Sequence, residues 1–384
     1  MYDVIVCGAG IEGSWIARQV AAEGKRILLL EQFSLPHGHG SSAGKSRIIR
    51  CSYDKLNYAR MMPEAFKMWT ELEKEQAANL LVRCPLVTIS NKERLKQLST
   101  NLSFLSISHE HITAAEVSDR FPGLKSPNRN GVVELSAGVM KADKCLNAVQ
   151  ASFASLGGVL HDCEKVLHVQ PISESHIKVM TNAATYDCKC VILACGPWIN
   201  KVLEPLDLNI PIKVTQINSM YWKAKNPQVY KPENGFPVII CDSDLGFHFY
   251  STPVLEYPEH MKVSCHFKME VDPDNRGSFL TKAKFSEERI KKIREDLIKH
   301  HFPDLIPELS IVEHCIQTET PDNDFVIDHH PKHENIIIAG GFSGHGYKLA
   351  PVVGKIVCSL ALGRKPEYPV NKFALSRFNN ASRL

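Results

Sequence analysis

The chain has 384 residues, a hydrophobic fraction of 44% and a formal charge of +3. That is enough apolar material for a large core and two domains, and a small, scattered charge with no basic tract argues against a nucleic-acid partner. No apolar run reaches membrane-span length, and the first strand-like run starts so early that no secretory signal is expected before it.

Asp3 to Cys7 reads as a short strand, and Gly8-Ala9-Gly10-Ile11-Glu12-Gly13 follows it. In such a G-x-G-x-x-G turn, Gly8 makes the turn, Gly10 lets a pyrophosphate approach and Gly13 allows close helix–strand contact. A helix is expected from Gly13 to about Glu23, capped by Gly24. A second strand over Arg26 to Leu30 ends at Glu31, whose carboxylate suits ribose hydroxyls. Strand, glycines, helix, strand and acid in this order signal a nucleotide site.

Between Leu81 and Met140 short strands mix with a helix over Thr113 to Phe121. A helix over Leu146 to Leu156 precedes strands around Val166, Ile177 and Tyr186. Val191 to Cys195 is a buried strand ending in a turn at Gly196. Strand-like runs from Val214 to Val271 suggest an antiparallel substrate layer. Ile336-Ile337-Ile338 then leads into Gly340-Gly341-Phe342-Ser343-Gly344-His345-Gly346-Tyr347-Lys348 and a helix over Leu349 to Leu362. Its N-terminus presents N–H groups and partial positive charge to an anion. Glycine-rich turns at both ends of one chain point to a flavin rather than a nicotinamide.

The expected fold is therefore α/β: a discontinuous Rossmann-like FAD-binding domain (1–80, 145–213, 315–384) with a second, α+β substrate domain (81–144, 214–314) built on a large antiparallel sheet. Twelve cysteines occur without a C-x-x-C pair, so most are expected as reduced core residues. His329-His330-x-x-His333 has metal-like spacing, but Pro331 breaks the helix that would align it, and no metal is expected. Tyr53, Tyr58, Phe66, Trp69 and Trp198 read as core packing. Ser382-Arg383-Leu384 is a conservative variant of a peroxisomal import address, which predicts an import receptor as partner.

Four stretches carry a resemblance: Ser46-Arg47-Ile48-Ile49-Arg50 after Gly40-Ser41-Ser42; Met261-Lys262-Val263-Ser264; Cys315 ahead of Thr320-Pro321-Asp322; and Gly341 to Lys348. Together they resemble the monomeric sarcosine oxidase family. The resemblance implies FAD held covalently through Cys315, a monomer without membrane contact, and peroxisomal oxidation of small secondary amino acids such as sarcosine or L-pipecolate to an imine and hydrogen peroxide. It assigns Arg50 and Lys348 to the substrate carboxylate and Tyr250 to the amine pocket. Lys262 is assigned to oxygen activation, His266 to the active site, His345 to the flavin, and Ser42, Val166, Gly196, Gly344 and Gly346 to the cofactor. One departure is Ala43, where the family has a histidine before the glycine, which leaves Arg47 to supply positive charge on that face. By strand alternation alone, Lys262 would face solvent. A flavin dehydrogenase passing electrons to a carrier and a non-catalytic flavoprotein are the competing classes. Lys262 and the tail argue against the first, and Arg50, Lys348 and Lys262 together against the second.

Overall fold

A computed structural model describes residues 1–126, 128–265, 268–275 and 287–378. His266 and Ser382-Arg383-Leu384 lie outside the described residues.

Uninterrupted apolar runs make the strands of the first sheet. Tyr2–Cys7 lies parallel between Ile27–Leu30 and Thr185–Leu193, and Val159–His161 extends the sheet beyond Ile27–Leu30. On the other side Thr185–Leu193 pairs antiparallel with His176–Thr181 through its first half. Its second half pairs parallel with His333–Gly340. Both faces are covered, as a parallel sheet requires. Val4 and Val6 join one core with Trp15, Trp69 and Phe153, while Ile5 and Cys7 join another with Leu28 and Leu193. Each such buried side chain is worth roughly 1.5–3 kcal/mol. The expected antiparallel layer is the second sheet, of nine strands. It is antiparallel except where Val238–Asp242 runs parallel to Leu86–Ile89. A small sheet of Ser46–Ile49, Gly138–Lys141 and Leu81–Arg83 stands beside them.

Helix bounds fall close to expectation: Ile11–Ala22, Ala114–Arg120, Ala142–Ser155 and Ala350–Ala361. Thr113 caps its helix in a reciprocal box with Glu116. The 20-residue helix Leu56–Glu75 adds to the expected elements, and it carries Pro63 inside it. Tertiary burial of Tyr58, Met62, Ala65, Trp69 and Leu72 sustains it nonetheless. The expected boundary at residue 315 falls inside the strand Leu305–Glu319, which belongs to the second sheet. All twelve cysteines are free thiols. Among the described residues no helix is long and apolar enough to cross a membrane.

Candidate active site

A cavity of about 850 Å³ opens at the carboxyl ends of Tyr2–Cys7 and Ile27–Leu30 and runs along one face of the second sheet. Ligands settle at this end of an open α/β sheet because loops diverge there and helix N-termini point inward. All residues expected for the site line it except His266, which is not described.

The nucleotide end is built from backbone. Helix Ile11–Ala22 begins at Gly10, which has no side chain of its own to cap the first turn. Ser42 Oγ accepts the Ile11 N–H at 2.9 Å, tying the 41–46 loop to that turn. Gly13 is required by the fold itself, since a Cβ there would sit 1.8 Å from Gly8 O. Glu31 accepts N–H groups from Ala9 at 3.0 Å and Phe33 at 3.1 Å, so its carboxylate is fixed at the end of its strand. Val166 and Gly196 line the same end. Glu12, not singled out in the sequence, would repel a diphosphate if ionised. Burial raises its carboxyl to about 7, against the lowering effect of Arg47 and Lys348, so it is readily protonated. A helix start built on glycines, a fixed acid and a neutralisable carboxyl fit a dinucleotide such as FAD.

The C-terminal glycines make room for protein atoms as well as for a ligand. A Cβ on Gly346 would meet Glu12 Oε1 at 2.3 Å and Phe342 Cβ at 2.6 Å, so the two glycine turns pack against each other. Gly344 packs against Gln317 in the same way. His345 is sandwiched against Tyr58, ring centroids 4.6 Å apart, and Phe325 at 4.7 Å. Its Nε2 lies 3.1 Å from the Asn323 carbonyl and so carries the proton. That leaves Nδ1 as a buried lone pair with no partner among the described residues. Burial first, then the Lys348 charge, lowers its pKa to about 3, so the ring is neutral.

Arg50 and Lys348 converge on Tyr53. The Arg50 guanidinium lies 4.4 Å from the ring centroid, and Lys348 Nζ donates to the Tyr53 hydroxyl at 3.2 Å. Neither cation has a carboxylate partner among the described residues. Lys348 is 8% exposed. Burial first, then Arg50 and Arg47, lowers its pKa to about 7. Trp69 Nε1 donates to the Lys348 carbonyl at 3.0 Å and holds its backbone. Tyr53 is buried as expected, but its hydroxyl belongs to the site; its place three residues after Arg50 was the signal available.

Tyr250 faces the cavity from the strand His248–Tyr257, its hydroxyl pushed up chiefly by burial. Arg47 donates to the backbone carbonyls of Ser41, Ala43 and Ser46 and lies over the Tyr347 ring, bracing the 41–46 loop. A Cβ on Gly44 would stand 3.2 Å from Arg47 Nη1 and 3.9 Å from Cys315 Sγ, so thiol and guanidinium flank one point.

Lys262 departs from the alternation expectation: it is 4% exposed, because the strand His260–Cys265 is covered on both faces. Nor is its charge free. Glu256 Oε1 lies 2.6 Å from Nζ, and Ser46 Oγ accepts from Nζ at 2.5 Å and donates to the same carboxylate. Outside the cavity, His330 and His333 stack face to face rather than converge on a point.

The profile of the family described as FAD dependent oxidoreductase matches residues 3–360. The chain is 39% identical over 381 residues to the peroxisomal sarcosine oxidase of Homo sapiens, covering 98% of this chain and 96% of that protein. It is 28% identical over 391 residues to the monomeric sarcosine oxidase of an Arthrobacter strain, covering 98% and 96%. The solved structure of an L-proline dehydrogenase from P. horikoshii superposes with a TM-score of 0.82 at 20% identity, covering 99% and 98%.

Proposed function

The chain belongs to the FAD-dependent oxidoreductase family, in its sarcosine oxidase branch, and from that premise we propose that it oxidises small secondary amino acids, sarcosine or L-pipecolate among them, with oxygen as acceptor. The observation that carries this is the pair Arg50, half-buried, and Lys348, buried, two cations facing one cavity without an ion-paired carboxylate among the described residues. A substrate carboxylate supplies the missing charge. Arg50 offers a planar two-donor fork and Lys348 a compact charge, so together they fix distance and orientation. Tyr250 bounds the amine end. His345 Nδ1 is an acceptor that stays unprotonated at neutral pH.

When bound, FAD supplies the two-electron chemistry that joins the amine to oxygen. In balance, the substrate loses a hydride equivalent from carbon and a proton from nitrogen to become an imine, and oxygen takes two electrons and two protons to become hydrogen peroxide. The start of Ile11–Ala22, Ser42 and Glu31 would hold the dinucleotide end; Gly344, His345 and Gly346 would wall the other. Cys315 is the attachment point, its thiol sharing a pocket with Arg47. We assign the first sheet with its helices to cofactor binding and the second sheet to substrate, and the similarity to the human peroxisomal sarcosine oxidase supports a peroxisomal location.

Lys262 is the cation we assign to the oxygen step. A bare ammonium about 4 Å from a developing negative charge is worth roughly 4 kcal/mol at an effective dielectric near 20. Glu256 lies 2.6 Å behind the ammonium, which reduces that to somewhat under ~2 kcal/mol when the charges are collinear. The expected benefit falls from about a thousandfold to about tenfold. This reduction favours a second reading, a dehydrogenase with a carrier as acceptor. Lys262→Met separates the two in stopped flow. Under the oxidase reading, anaerobic flavin reduction by substrate changes little while reoxidation by an oxygen pulse slows about tenfold or more. Slow reoxidation in the unaltered protein, with fast transfer to an artificial carrier, would establish the dehydrogenase instead.

A further inference from the structure

Two buried lysines line one cavity in opposite electrostatic settings. Lys348 stands without a carboxylate among the described residues, whereas Lys262 is paired with Glu256, their side chains 5% and 3% exposed. The pairing is built by a local irregularity. Thr252 is in register with Lys262, but the next paired residues are Tyr257 and His260, so the chain bulges between Thr252 and Tyr257. Pro253 suits such a break because it donates no ladder hydrogen bond. The bulge turns Glu256 back over Lys262, and Ser46 closes the triangle from the neighbouring small sheet. A carboxylate buried this deeply is costly unless it is paired and hydrogen-bonded; here Lys262 pairs with it, Ser46 donates to it, and Thr252 Oγ1 lies 3.5 Å from both its oxygens.

We propose that Glu256 is a positioning residue for the oxygen half-reaction: with the Ser46 hydroxyl, its carboxylate fixes Lys262 Nζ on the cavity wall and keeps it an ammonium. This rests on the oxygen role assigned to Lys262 above. The design trades field strength for permanence. A lone buried lysine has the stronger charge but sheds its proton, as Lys348 does with a pKa lowered to about 7. Lys348 recovers its proton when a substrate carboxylate arrives; oxygen brings no charge that would do the same for Lys262.

The surroundings leave few other groups to titrate. Tyr221 lies 5.2 Å from Nζ, and its hydroxyl and that of Tyr257 donate to Glu313 at 2.8 and 2.6 Å. Both phenols are pushed up, Tyr257 to about 12 chiefly by that bond, Tyr221 further and chiefly by burial. Neither ionises in the working range. Lys45 lies over the Tyr257 ring at 3.8 Å, and Arg47 follows Ser46 along the strand.

The test is Glu256→Gln, which keeps the shape and removes the charge. In the unaltered holoenzyme, reoxidation should be nearly flat from about pH 6 to 9 once any step near pH 7 from Lys348 and Glu12, common to both proteins, is taken out. In the variant it should equal or exceed the unaltered rate near pH 6 and fall at least about tenfold by pH 9, as Lys262 loses its proton. Lysine carbon-13 NMR supplies a readout independent of turnover: the Lys262 resonance should move in Glu256→Gln, because the charge beside Nζ is gone. Glu256→Asp should restore the flat profile, and the double variant with Lys262→Met should lack the pH step. If Glu256→Gln folds poorly, Glu256→Asp still tests the idea, because a pH step there with an unmoved lysine resonance refutes it. An unmoved resonance, or a flat profile in Glu256→Gln, overturns the proposal. Normal reoxidation in Lys262→Met alone overturns the oxygen reading beneath it, a different and distinguishable outcome.

Discussion

Replacing Lys348 by Met removes a buried ammonium while keeping its apolar stem, and the structure fixes three consequences. The lost charge-assisted contact is worth about 1.5–3 kcal/mol, or roughly 10–160-fold in the Kd of a carboxylate ligand. The second consequence is pH dependence. The free lysine has its pKa lowered to about 7, so it must take up a proton before it can hold an anion at higher pH. Carboxylate Kd in the unaltered protein should therefore rise about tenfold per pH unit above 7, and this limb should vanish in the variant. Stability is the third. Lys348 is charged in the unfolded chain up to its ordinary 10.5 but held near 7 in the fold. Its penalty of roughly 3–5 kcal/mol is fully present below about pH 7 and fades as pH rises toward 10.5. Lys348→Met should thus raise Tm at pH 6, with the gain shrinking toward pH 10. Acetate titration followed by flavin absorbance gives the Kd values, and thermal melts give Tm. An unchanged Kd with the alkaline limb intact would remove Lys348 from the carboxylate clamp.

Acid precipitation of the unaltered protein should retain yellow flavin in the pellet, and Cys315→Ala should release it; flavin lost from both would refute the thioether. In that Cys315→Ala background, Glu12→Gln should bind FAD more tightly than its parent above about pH 7, where the carboxyl of Glu12, raised to about 7 by burial, ionises and repels the diphosphate. Equal FAD affinities at pH 9 would show that Glu12 does not face the phosphates. Gly346→Ala should lower Tm and FAD content together, because its Cβ would meet Glu12 Oε1 at 2.3 Å and Phe342 Cβ at 2.6 Å; a fully loaded variant with unaltered Tm would mean that the two glycine turns separate readily.

The sequence by itself determined the local grammar. Apolar strands, the turn at Gly8 to Gly13 and the capping box at Thr113 are written in adjacent residues, because sterics and hydrogen bonding over a few positions decide them. The cations Arg50, Lys348 and Lys262 were also legible, through motifs around them. Their charge partners were not. Lys262 is ion-paired with Glu256 because the chain bulges between Thr252 and Tyr257, and Lys348 has no ion-paired carboxylate among the described residues. Helix Leu56–Glu75 carries Pro63 inside it, and packing against the core outweighs that cost. Periodicity put Lys262 in solvent, but a second layer covers its strand, and burial on both faces is a property of the assembled sheets. Pairing across 6 to 216 positions of sequence, as between Glu256, Lys262 and Ser46, is set by sheet register and so was decided only in the tertiary structure.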